Sequence, residues 1–166
     1  MRGLSYAAGS IPVSVVCICV DSVENELVIG RMYHCYSEEA IPFTSQVQML
    51  LRMSELYDTI DFPQASTRGR SMRGRNAQTG KVREAKQVRD EQDVKNQIGQ
   101  KASFIVRVNS RQNATWQGTV SWTDKGVTRY FRSALELLKL IDSALADSES
   151  GKKSGEEDGT AEGQEN

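Results

Sequence analysis

Displaced by 88 positions and without a gap, the chain falls onto itself. Val20 then stands on Val108, Ser22 on Ser110, Asn25 on Asn113, Gly30 on Gly118, Phe43 on Phe131, Ser45 on Ser133 and Leu50 on Leu138. Between these identities apolar residues replace apolar residues: Val16 with Phe104, Ile18 with Val106, Met32 with Val120, Met53 with Ile141. A pattern written twice, turn residues included, constrains the chain to fold one unit twice.

Each copy reads as βββα. An alternating run ("VVCICVD", "SFIVRVN") is a strand, and a turn containing Asn follows it. A second strand ("LVIGRMYHC", "TWQGTVSWT") carries an internal glycine, the mark of a bulge or a close backbone approach. A third, shorter strand ends in Phe ("AIPF", "VTRYF"). Helices then begin at Ser45 with Gln48 and at Ser133 with Glu136, the spacing of a capping box. Stripes follow at three- and four-residue intervals: Val47, Leu50, Met53 and Tyr57, then Leu138, Ile141 and Leu145. The expected fold is α+β: two βββα repeats, each an antiparallel three-stranded sheet plus a helix, related by an internal pseudo-twofold. The repeats take 16–62 and 102–146, after an N-terminal segment 1–15. At roughly 45 residues each they are marginal alone, so they share a core or one of them packs against another chain.

Charge sets the remainder apart. Arg68 to Lys86 holds seven basic residues against Glu84, and Asp147 to the end holds seven acids against Lys152 and Lys153, although the net charge is only -1. Both stretches are poor in aliphatic residues, which predicts a flexible basic linker at 63–101 and a disordered acidic tail at 147–166. Within the linker, "VREAKQVRDEQDVKNQI" (Val82 to Ile98) has helical propensity without an adequate apolar stripe and is expected to be mostly unstructured. Arg68, Arg70, Arg73 and Arg75 suit phosphate contacts in a nucleic-acid complex, but no aromatic residue accompanies them for base stacking.

The two copies differ on one face. In the second, Phe104, Val106, Val108, Trp116, Val120 and Trp122 alternate with Arg107, Asn109, Thr115, Gln117, Thr119 and Ser121, one face for a core and one for water. In the first, the core face (Val16, Ile18, Val20, Val28, Met32) is backed by Val15, Cys17, Cys19, Leu27, Ile29, Tyr33 and Cys35, interrupted by Arg31. A sheet apolar on both sides must be covered on both sides. Cys17, Cys19, Leu27, Ile29, Tyr33 and Cys35 are therefore the expected interface, with three possible covers: this chain's other repeat, a second copy in a homodimer, or a foreign protein.

No enzyme chemistry is indicated. The cysteine spacing does not fit a structural zinc site, and His34 alternates to the face opposite Cys35. A base for a cysteine nucleophile would have to cross the sheet. No phosphate-binding loop or dinucleotide motif is present. The sequence points to no metal, cofactor or small-molecule substrate. The apolar run "IPVSVVCICV" is too short to span a membrane, lacks a cleavage site, and reads as a strand. Three cysteines without disulfide spacing suit the cytoplasm.

"FPQAS", "RQNATWQGTVSW" and "FRSALELLKLIDSAL" together resemble small proteins of Clostridia-like gut bacteria. The second half is also similar to short bacterial domains with the pattern W-x-G-x-V followed by F-x-S-x-x-E-L-L. The resemblance implies a bacterial, non-secreted protein and carries over no residue role. The expected function is that of a non-enzymatic accessory protein binding a macromolecule through the first unit's apolar face. The alternatives are a nucleic-acid-associated protein using the Arg-rich linker, or a mobile-element product that inhibits a host enzyme.

Overall fold

The computed structural model describes residues 13–65, 72 and 85–153. Alternation in the first half produces β1 (Val15–Glu24), β2 (Leu27–His34) and β3 (Ile41–Phe43), followed by α1 (Gln46–Ile60). After the short helix α2 (Glu91–Lys95) come β4 (Ala102–Ser110), β5 (Gln117–Trp122), β6 (Val127–Phe131) and α3 (Ala134–Lys153). The fold is α+β, but the strands do not form two separate sheets. They make one antiparallel sheet in the order β3-β2-β1-β4-β5-β6, joined at its centre where Val15 to Val20 run against Arg107 to Ala102.

Register follows from the turns and glycines. Asn25 and Glu26 both have positive φ (50° and 66°), which makes the tight two-residue hairpin that matches strand twist. Gly30 lies opposite Val20 and Gly118 opposite Val108, each beside a bulge, one skipping Asp21 and the other Asn109. The backbone closes in at both places. A Cβ on Gly30 would sit 2.0 Å from the Cys19 carbonyl oxygen, and one on Gly118 would sit 1.8 Å from that of Arg107. The internal glycine therefore marks both a bulge and a close approach.

The helix starts form at the expected serines. Ser45 Oγ accepts from Gln48 N (3.1 Å) and Ser133 Oγ from Glu136 N (3.0 Å). The return bonds reach one residue further back than in the usual box: Gln48 accepts from Thr44 N and Glu136 from Arg132 N. Both helices cover the same sheet face. Met49, Met53, Leu56 and Tyr57 of α1, and Leu137, Ile141, Ala144 and Leu145 of α3, bury against Val16, Ile18, Phe104 and Val106 in a single core. Leu137, not Leu138, is the fully buried member of its turn, because the stripe drifts on a 3.6-residue helix; Leu138 packs at the margin. Tyr57 meets Trp116 edge-on (5.5 Å between ring centroids) and ties α1 to the second half.

Two charge-rich stretches are more ordered than expected. The part of Val82 to Ile98 that lies within the described residues packs on the sheet and includes α2, because Val94 supplies the buried anchor that an apolar stripe would otherwise give, with Ala85 at the margin of the main core. α3 runs through Lys153, into the stretch read as tail. No helix among the described residues is long and apolar enough to cross a membrane.

Candidate functional site

Among the described residues, the second sheet face is covered over one half only. Across β1 and β2 lies the strap, residues 85–100. Its Val94 is fully buried with Val15, Cys17, Cys19, Tyr33 and Cys35, while Ile105 packs at the edge. Backbone bonds hold the strap at both ends. Val88 N and Arg89 N donate to the Cys35 carbonyl (2.8 and 3.0 Å), and Lys101 N donates to that of Val20 (2.8 Å). Ion pairs surround it: Glu91 meets Lys95 and Arg107, and these two hydrogen bonds hold its carboxyl below the usual range.

Beside the strap, Arg31 donates Nε and Nη2 to the two Asp21 oxygens (2.8 and 3.0 Å) and Nη1 to Tyr33 Oη (2.7 Å). The fork keeps the Asp21 carboxyl below its ordinary pKa. Arg31 and Arg89 both sit over the Tyr33 ring, 5.7 and 5.3 Å from its centroid.

The expected interface residues are thereby divided. Cys17, Cys19, Tyr33 and Cys35 lie beneath the chain's own strap, whereas Ile29 is half-buried and Leu27 is 47% exposed at the hairpin. The cover is intramolecular, and it is the strap, not the second repeat. Arg68, Arg70, Arg73 and Arg75 lie outside the described residues.

The thiols are poorly placed for nucleophilic chemistry. Cys17 Sγ and Cys19 Sγ lie 3.8 Å apart. Their contact raises the pKa of Cys17 and lowers that of Cys19, while burial pushes Cys35 up to about 11. His34 is 6% exposed, and its Nδ1 accepts from Tyr36 N (3.1 Å). Burial, with Arg89 adding to it, lowers its pKa to about 4, so it is neutral and already engaged. Among the described residues, no group of three or more His, Cys, Asp or Glu side chains is arranged to hold a metal ion.

Two concavities lie elsewhere, and the pattern of apolar residues foreshadowed neither. One, of about 480 Å³, opens beside Phe62, Pro63, Gln64, Asn109 and Gln112. Near it the buried Arg111 donates to Pro63 O, Asp58 and Tyr57 O. The other, about 230 Å³, is a groove between α3 and the β4–β6 end of the sheet. Phe104, Val120, Trp122 and Leu140 line it, with Arg129 and Asp147 among the polar lining. A solitary charge at a core-facing strand position, as at Arg129, was the available sign of this groove. No protein-family model, no curated protein and no solved structure matches the chain.

Proposed function

We propose that this chain is a non-enzymatic bacterial accessory protein that binds another macromolecule through the apolar sheet face of its first unit, with the strap as a displaceable cover. One observation carries the reading: the roof is mostly polar while the surface beneath it is not. Val94 is the strap's fully buried apolar side chain, set against five buried apolar or thiol-bearing residues of the sheet. Much of the strap's hold comes from ion pairs and backbone bonds that a partner segment can replace one for one. A partner segment can set its own apolar side chain over Cys17 and Cys19 in place of Val94, with amides for the Cys35 carbonyl.

In the same reading the protein is a duplicated βββα unit with an internal pseudo-twofold, related to the small Clostridia-like proteins and working in the cytoplasm. Equal spacing supports the duplication. Cys17 pairs with Ile105, its own equivalent 88 positions on, as an axis through the centre of the sheet requires. The glycine pairings and bulges recur at the same offset.

Native-state hydrogen exchange tests the cover. The amides of Val88, Arg89 and Lys101 are expected to open at a free energy well below that of β1 and β4. In Val94→Asp the thiols then become reactive and light scattering shows self-association, while the main core stays folded. Strap amides that exchange only with global unfolding would make the strap ordinary core and end the proposal.

A further inference from the structure

The groove beside α3 has the composition of a ligand site. Its floor is apolar, with Phe104 and Trp122 stacked at 6.3 Å between centroids and Leu140 and Ala144 above them on the helix. At about 230 Å³ the groove lies below the roughly 300–1,000 Å³ of pockets that take drug-sized ligands, so it suits a smaller molecule.

The polar groups on its walls are opposite in sign and unspent. Arg129 reaches the groove from β6, where it pairs with Val120, and Asp147 reaches it from α3. Neither takes part in an ion pair among the described residues; there, one Arg129 nitrogen donates to the Thr128 carbonyl (3.0 Å) and the rest of its fork is uncommitted. At the corresponding places of the first half, 88 positions earlier, stand Ile41 and Thr59, so the charged pair belongs to this half alone.

We propose that this groove binds a small zwitterion with an apolar side chain, the chemistry of a free aliphatic or aromatic α-amino acid. The carboxylate lies toward Arg129, the ammonium toward Asp147, and the side chain against Phe104, Val120 and Leu140. A simple carboxylate would meet the Asp147 charge unbalanced, and a simple amine would meet Arg129 in the same way. The zwitterion satisfies both walls. This site is independent of the strap and stands or falls separately from the interaction surface.

The test is calorimetric titration and thermal shift of the full chain with L-leucine, L-methionine and L-phenylalanine at millimolar concentration. 4-Methylpentanoate and isoamylamine serve as controls lacking one charge each. At least one amino acid is expected to bind with a stoichiometry of one, and the controls at least about tenfold more weakly. Arg129→Gln and Asp147→Asn, both on exposed side chains and expected to fold normally, each weaken binding by a similar factor. Trp122→Phe removes the accompanying change in tryptophan fluorescence. Controls that bind as tightly as the amino acid, affinities unchanged in both charge variants, or no binding by any of the three amino acids would each overturn the proposal.

Discussion

Arg111 holds Tyr57 from two directions: its Nη2 donates to the tyrosine carbonyl at 3.0 Å, and its guanidinium lies 5.6 Å from the centroid of the same residue's ring. The side chain is 5% exposed and also binds Asp58 and the Pro63 carbonyl, so it closes the C-terminal end of α1 onto the end of β4. Arg111→Leu strands these acceptors and is expected to cost about 2–4 kcal/mol in urea denaturation. Arg111→Lys recovers little of it, because an ammonium cannot reproduce the planar fork.

Tyr57 itself separates size from polarity. Its hydroxyl is buried without a hydrogen-bond partner among the described residues, so Tyr57→Phe is expected to be neutral or to stabilise by up to about 1 kcal/mol. Tyr57→Ala removes a fully buried ring from the main core and is expected to cost about 3–5 kcal/mol. Comparable losses in the two variants would show that the hydroxyl has a partner after all.

The glycines at the bulges admit no substitution. Gly30→Ala and Gly118→Ala both push a Cβ into backbone, which cannot step aside as a side chain can, and each is expected to lose more than about 2 kcal/mol. Gly126, with φ of 64° and open space around its Cβ position, is the internal control: Gly126→Asn keeps the turn and changes stability by less than about 1 kcal/mol. Thermal denaturation of the three variants checks the ranking.

His34 makes stability depend on pH. Its pKa falls from the ordinary 6.5 to about 4 in the folded chain, so below pH 6.5 the unfolded state takes up a proton that the folded state refuses. The stabilisation is fully present above pH 6.5 and is lost as pH falls toward 4, on the order of 3 kcal/mol in total. His34→Gln is expected to flatten this window. An imidazole NMR titration with its midpoint above pH 6 would contradict the burial argument.

Most of the scaffold could be read from alternation and caps. Ser45, Ser133, Asn25, Gly30 and Gly118 each announce a local geometry, and the offset between the copies predicts their shared register. The two-sided apolar pattern of β1 correctly required a cover but could not say what supplies it. The strap's contribution rests on Val94 within a run of charges, which in sequence has the composition of a solvated linker. Arg111 was equally silent, since two of its three partners are main-chain carbonyls that carry no side-chain signature. The groove left a single trace in the sequence, the lone charge of Arg129 at a core-facing strand position, because it arises where α3 and β6 leave space between them.

The joint between β1 and β4 has a consequence for synthesis. A ribosome adds roughly 5–20 residues per second, so β1 waits for seconds before β4 is made. Throughout that wait the β1 run from Val15 to Val20, apolar on both faces, has no partner along what will become the centre of the sheet. The nascent first half is an open template for any other strand in reach, including the same half on a neighbouring ribosome. For this fold the hazardous interval is the one between its halves.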